Sequence, residues 1–356
     1  MAVYMVKYAV GIIGCGGIAS SHVQGWLDTG RAEIVAVADI DLAKAEALAG
    51  KFAVKRFYRD YVEMLKRESL DFVSICTWAQ THAEVTVRAA EACVKGILCE
   101  KPMAVSLGEA NMMVEICDKH GVKLAIRHQR RFHPIHISVK NFISEGRIGR
   151  PLLARGRRED GLLNNGSHMI NTVRFWLGDP EPDWVIGQVE RKTDRYERGI
   201  PIEDLCIGLV SFKDGTKLLI EMDTPITHKL EWFHVVLECT DGLLIVTDEE
   251  VKVLSSNGWS KLKPVEDKTT EFSQLIDWVE GKVSMHRSSG YQSRIDMEIM
   301  MAIYQSSRLR SLVRMPLKIL ENPLLAMIKS GEPPVEKPGK YDIRLPKELW
   351  GFLKIP

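Results

Sequence analysis

Along the first 120 or so residues, short apolar, β-branched runs alternate with segments whose apolar positions recur at three and four. The runs YAVGII (8–13), EIVAVAD (33–39), FVSICT (72–77) and GILCE (96–100) predict strands. Amphipathic helices are expected between them, for example DLAKAEALAGKF (41–52) and HAEVTVRAAEACVKG (82–96). A further strand, KLAIRH (123–128), follows the helical segment SLGEANMMVEICDKH (106–120) and leads into QRRFHP. Strands that alternate with helices in this way predict a parallel sheet covered on both faces.

After Pro134 the pattern changes. Strand-like runs now follow one another directly: WVIGQVERK (184–192), LCIGLVSFKDGTKLLIEMD (205–223) and FHVVLECTDGLLIVTD (233–248). Asp214-Gly215 and Asp241-Gly242 mark hairpin turns inside the last two, so this part predicts an antiparallel sheet. Helices are expected near Glu271 to Glu280 and from about Tyr291 to Arg310, packing back on the first half. From Pro316 onward, pieces such as GEPPVEKPGKYDIRLP predict an extended arm lying over the body or reaching a neighbouring subunit.

Composition narrows the class. The 356 residues carry 48 basic and 47 acidic side chains, a balance that argues against a general nucleic-acid or polyanion binder. Seven scattered cysteines without a CxxC pair read as reduced thiols of a cytoplasmic protein. The apolar start AVYMVKYAVGII is too short for a membrane span and reads as a first strand. His133 and His136 form an HxxH pair, but Pro134 lies between them and no carboxylate or cysteine completes a site nearby, so no metal is expected.

Candidate chemistry begins at Gly14-x-Gly16-x-x-Ala19, directly after the first strand and at the opening of a helix. In that context Gly14 permits the sharp turn, Gly16 lets backbone approach a pyrophosphate, and Ala19 lets helix and strand pack closely. Gly17 and Ile18 belong to the same loop. Asp39 ends the second strand at the offset of a carboxylate that binds the adenosine ribose, which favours NAD over NADP, with NADP left open by Lys44. Asp41 reads as the N-cap of the next helix. Lys101, in CEKP at a strand end, is held out of helical geometry by Pro102.

The ordered series VGIIGCGGIA, VAVADID, ICTWAQTHAE, CEKPMAVS, RHQRRFHP, NNGSHMINTVRFWLG and SRIDMEIMMAIYQSSR resembles the glucose-fructose oxidoreductase, inositol dehydrogenase and rhizopine-catabolism family (Gfo/Idh/MocA) from about Tyr8 to Pro316. The resemblance implies an α/β Rossmann dinucleotide-binding domain at 1–127. It further implies an α+β substrate-binding and oligomerisation domain with an open-faced, mainly antiparallel sheet at 128–316, followed by the arm at 317–356. Such proteins are commonly homodimers or homotetramers, and they exchange hydride between a nicotinamide and a sugar or cyclitol carbon.

Carried over by residue, Lys101 matches the lysine of the family's EKP and His168 the histidine of its DxGxH-like motif. Thr77, Trp78 and His82 fall on the segment lining the cofactor pyrophosphate and nicotinamide ribose, with Glu100 near the same ribose. Gln129 and Arg131 match a run at the domain junction; Gln129 is assigned to cofactor, and Arg131, Arg157 and Asn165 to substrate. Two features depart from the family. Asn164 and Asn171 stand where many members have aspartates, and an amide cannot accept a proton as a base, so acid/base work falls on His168 with Lys101. Lys101 is also assigned to cofactor, while Asn164 completes the catalytic set as an orienting amide. The segment from Pro151 to Gly161 is short, which implies a more open pocket or one completed by another subunit.

The expected activity is an NAD(P)-dependent dehydrogenase of a sugar, sugar acid or cyclitol. The alternatives are an NAD-dependent glycosidase or lyase that oxidises its sugar transiently, and a non-catalytic dinucleotide-binding regulator. The arginines at 127, 130, 131, 155, 157 and 158 leave an anionic substrate open.

Overall fold

The structure is a computed structural model and describes residues 7–225 and 233–345. Among these residues two compact units are distinguished: 7–105, 109–129 and 268–294 form the first, and the other described residues form the second.

In the first unit, β1 (Tyr8–Ile13), β2 (Ala32–Ala38), β3 (Arg56–Tyr58), β4 (Phe72–Ile75), β5 (Gly96–Cys99) and β6 (Lys123–Ile126) make one sheet in the order β3-β2-β1-β4-β5-β6. All pairings are parallel, and the order reverses between β1 and β4, where an open α/β sheet forms its ligand crevice. Helices α1 (Ala19–Asp28), α2 (Leu42–Phe52), α3 (Tyr61–Arg67), α4 (Ala79–Glu91) and α5 (Leu107–His120) connect the strands. The strands are nearly continuous apolar runs because both faces are covered; β4 and β5 are buried along their whole length. Asp41 caps α2 by accepting a hydrogen bond from the Ala43 amide at 3.2 Å.

The stretch 268–294, placed by sequence within 128–316 with its helix expected to pack back on the first half, belongs to the first unit. The reason is its helix at Glu271–Val279, whose Phe272, Leu275 and Ile276 are buried with Val10, Trp26, Phe72 and Leu98 in one core. Gly25 of α1 lies so close beneath Phe272 that an added Cβ would stand 2.1 Å from the ring.

The second unit is built on nine strands in the order β16-β15-β14-β13-β7-β12-β11-β8-β17. These are β7 (Pro151–Arg158), β8 (Pro182–Glu190), β11 (Leu205–Phe212), β12 (Lys217–Met222), β13 (His234–Cys239), β14 (Gly242–Thr247), β15 (Val251–Ser255), β16 (Gly258–Lys261) and β17 (Val313–Arg314). Both expected hairpins form, β11 with β12 and β13 with β14. They are not neighbours, however, because β7 inserts between them, antiparallel to β13 and parallel to β12.

Along β7, Ala154, Gly156 and Arg158 are buried, while Leu153, Arg155 and Arg157 point to the other, more open face. A Cβ on Gly156 would stand 2.2 Å from the Met169 sulfur, so α7 (Ser167–Trp176) lies directly on β7. The remaining helices are α6 (Pro134–Ser144), α8 (Glu271–Val279, described above), α9 (Gly290–Leu309) and α10 (Pro323–Ser330); the unit boundary falls within α9, after Arg294.

The expected arm is not simply extended. It contains α10, and its strand β18 (Lys337–Asp342) pairs in parallel with β9 (Thr193–Glu197), beside the short β10 (Ile200–Pro201). The prolines in and around it hid the helix, but Pro323 sits in its first turn, where no amide donor is needed, and Asn322 caps it.

Candidate functional site

The segments that follow β1, β2, β4, β5 and β6 at their C-terminal ends carry the expected dinucleotide residues of the first unit. Gly14 has φ +90°, and a Cβ there would meet the Cys76 and Thr77 backbone at 2.8 Å. That glycine is demanded by the chain itself. Gly16 and Gly17 are different, since a Cβ on either meets nothing within 4 Å. The amino end of α1, at Ile18, has no side-chain cap and no acidic residue in its first turn. Open space above two glycines, beside an uncapped helix start, fits a pyrophosphate. Asp39 closes this loop by accepting the Cys15 amide at 2.7 Å and the Asp41 amide at 2.8 Å.

Thr77 and Trp78 lead into α4, and the Trp78 side chain is exposed. His82 is buried, and its ring nitrogens face the carbonyls of Pro102 at 2.9 Å and Thr77 at 3.1 Å. It therefore braces the Thr77 turn against the Lys101-Pro102 turn rather than presenting its ring to a ligand. The Lys101-Pro102 bond is cis. Gln129 is exposed at the start of the short turn Gln129–Phe132.

Glu100 is turned inward. Its carboxylate accepts from His22 Nε2 at 3.0 Å, from Arg127 Nη1 at 3.1 Å and from the Lys101 amide at 3.2 Å. Arg127 also donates to Glu271 at 2.9 Å and to the Ser21 hydroxyl at 2.9 Å. Burial opposes ionisation of Glu100, but the His22 hydrogen bond and the Arg127 guanidinium outweigh it and hold the carboxyl down at about 2. Burial pushes His22 below the usual imidazole range, opposed by its hydrogen bond to Glu100, and Arg127 balances the Glu100 carboxylate. His22 and Arg127 were not expected here: a histidine within an apolar helix face carries no sequence signal of its partner.

In the second unit, β7 ends at Arg158 and the chain makes a π-helical turn, Gly161–Gly166, that runs straight into α7. Asn164 and Asn165 lie on the turn, and His168, buried, in the first turn of α7. Asn164 Nδ2 donates to the Asp160 carbonyl at 3.3 Å, and Asn165 Nδ2 to the Glu159 carbonyl at 3.0 Å. The turn's leading amides are held by carboxylates: Asp160 and Gly161 donate to Asp223, and Leu162 donates to Glu203.

Arg131 and Arg157, expected to bind substrate, do other work. Arg131 is fully buried and forks onto Asp179 at 2.6 and 2.8 Å while donating to Asn171 Oδ1 at 2.8 Å. Asn171 in turn donates to Asp296, which also takes Arg174 Nη1 at 2.7 Å. Arg157 lies on the open sheet face, paired with Glu221 of β12 at 2.9 Å. Strand parity separates it from Arg158, which shares the buried face with Ala154 and Gly156. Arg130 forks onto Asp248, so four of the six arginines (127, 130, 131 and 157) already hold a carboxylate.

All seven cysteines are free, and among the described residues no helix is long and apolar enough to cross a membrane.

The family model described as an oxidoreductase family with an NAD-binding Rossmann fold matches residues 8–128. A D-apiose dehydrogenase from Paraburkholderia graminis is 30% identical over 253 residues, covering 66% of this chain and 66% of that protein. An inositol 2-dehydrogenase from Acidothermus cellulolyticus is 28% identical over 301 residues, covering 79% of this chain and 86% of the relative. Among solved structures, the WlbA dehydrogenase from Bordetella pertussis, in complex with NADH and UDP-GlcNAcA, superposes with a TM-score of 0.73 at 22% identity, covering 88% of this chain and 100% of that one. The glycine loop, the strand order and these matches together mean that the chain belongs to the Gfo/Idh/MocA family of oxidoreductases and that its first unit is an NAD-binding Rossmann domain.

Proposed function

We propose that the protein is an NAD-dependent dehydrogenase that oxidises a secondary alcohol of a sugar, sugar acid or cyclitol, or reduces the corresponding ketone. The observation that carries this reading is the glycine loop with open space above Gly16 and Gly17, in a chain similar to dehydrogenases of D-apiose and inositol. Gly14 to Ile18 and the α1 amino end would hold the pyrophosphate, Asp39 the adenosine ribose, and Thr77 and Trp78 the nicotinamide half. When bound, NAD supplies the hydride acceptor.

The protein's own task is to remove the hydroxyl proton as hydride leaves the same carbon. His168 takes that proton, since an imidazole has a pKa suited to the work at neutral pH. Lys101 donates a hydrogen bond to the same oxygen and stabilises its developing negative charge. Glu100 and His82 hold the turn that carries Lys101. Asn164 and Asn165 orient the substrate's other hydroxyls. The active form is proposed to be a homodimer or homotetramer through the open face of the second sheet.

The test is absorbance at the NADH band with a panel of sugars, sugar acids and inositols. Lys101→Ala and His168→Ala are expected to lower kcat by roughly 10²- to 10⁴-fold each. NAD binding with no net NADH from any candidate would favour transient oxidation or a regulator instead.

A further inference from the structure

The C-terminal segment reaches the turn that carries Asn164 and Asn165 and leads into α7, where His168 lies. Strand β18 is fixed to β9 by its register, Tyr341 opposite Arg195 and Asp342 opposite Tyr196, and the Ile343 amide donates to the Tyr196 carbonyl at 2.9 Å. Asp342 ties the strand's end in place by accepting the Gly199 amide at 2.7 Å and the Arg344 amide at 2.9 Å. Arg344 is thereby aimed at Asp160: its Nη2 donates to Asp160 Oδ2 at 2.8 Å, and its Nε donates to Glu197 at 3.3 Å.

Asp160 is the hub of the turn. It sits at φ +73°, a left-handed conformation that aspartate reaches more readily than most residues with a side chain. Its amide donates to Asp223, its carbonyl accepts from Asn164, and the carboxylate oxygen that takes Arg344 also takes Asn165 Nδ2 at 3.2 Å. Arg195 of β9, the strand that β18 pairs with, binds Asp223 at 2.9 Å and the Glu203 carbonyl at 3.0 Å. Arg195 of β9 therefore supports the Asp223 carboxylate directly and fixes the backbone of Glu203, whose carboxylate takes the Leu162 amide.

We infer that Arg344 is a positioning residue for the segment Gly161 to His168, so that proton transfer at His168 depends on the docked C-terminal strand. This rests on the reading of His168 given above. The guanidinium fixes the Asp160 carboxylate, the carboxylate fixes Asn165, and the turn between them sets where α7 begins. Loss of Arg344 leaves the Rossmann unit intact while loosening the turn, and catalysis falls steeply with small misplacements of a reacting group.

The experiment compares Arg344→Ala, Arg344→Lys and the control Lys337→Ala in the full-length protein. Three readouts are taken: NAD titration, steady-state kinetics, and hydrogen exchange of the peptide spanning 159–170. For Arg344→Ala the expected result is a fall in kcat of about tenfold to a hundredfold with NAD affinity unchanged. Amide exchange in 159–170 should be faster, Arg344→Lys should restore part of both losses, and Lys337→Ala should match the parent. Unchanged exchange in 159–170 for Arg344→Ala overturns the inference, as does a uniform rise in exchange across the protein, which would mean general unfolding. The exchange measurement needs no substrate, so it decides this point even if no sugar is turned over and the dehydrogenase reading fails.

Discussion

Arg127 donates to two carboxylates, Glu100 and Glu271, and each of these side chains is nearly out of water. A buried ion pair gains little net stability over an apolar replacement of the whole group, but removing one partner strands the other. Arg127→Leu is therefore expected to destabilise the protein by roughly 3–5 kcal/mol near neutral pH, measured by denaturant unfolding. The pH dependence has a definite sign. The Glu100 carboxyl is held at about 2 in the folded protein, below its usual 4.5, so its contribution is complete above 4.5 and is lost as pH falls toward 2. The deficit of Arg127→Leu should shrink over that same window, because protonated Glu100 no longer needs a partner. A deficit equal at neutral pH and at about pH 3 would mean that lost packing on Phe272, 5.7 Å from the guanidinium, outweighs the charge.

At the scale of elements, the glycine loop separates two demands that look alike in sequence. Gly14 answers to the fold, with a positive φ and backbone 2.8 Å from a would-be Cβ, whereas Gly16 has open space. Gly14→Ala should lower thermal stability by about 1–2 kcal/mol or more, whereas Gly16→Ala should melt like the parent yet lose NAD affinity about tenfold or more, read by fluorescence titration. Equal NAD affinity in Gly16→Ala and the parent would remove the glycine from the phosphate site.

The loop was legible because its chemistry is local: strand, glycines and helix follow within a dozen residues. The first unit's long strands were legible for a related reason, since burial on both faces writes them as unbroken apolar runs. β3 and α3 were not, because β3 is three residues long with two of them exposed. Arg131 was misplaced for the opposite reason. Its partners Asn171 and Asp179 lie 40 and 48 residues along the chain, and a guanidinium satisfied by a distant carboxylate reads the same in sequence as one awaiting a ligand.

On the scale of the whole molecule, hairpins were visible but their order in the sheet was not, since turn residues specify which strands are joined and say nothing of a third strand inserted between two hairpins. β7 does this, and it leaves one sheet face whose outward residues were only partly foreseeable. Gly187 and Gly208 face inward onto Ile303 of α9, which sets the parity of β8 and β11. Ile186, Ile207, Leu209 and Leu219 therefore lie on the opposite face, with Leu209 opposite both Leu219 and Ile186. Ile186 and Ile207 remain 45% and 41% exposed there. Contiguous apolar side chains on a wide antiparallel sheet are costly in water and suit association through that face. A stable self-association through it needs about 1,000 Å² or more of buried area, which a broad sheet face can supply. Light scattering after size exclusion should give a mass of two or four chains for the parent, and Ile207→Lys should shift it toward one chain without changing the far-ultraviolet circular dichroism. A parent that runs as a single chain at micromolar concentration would leave those isoleucines as ordinary surface, and the open face would then have to be explained without a second copy.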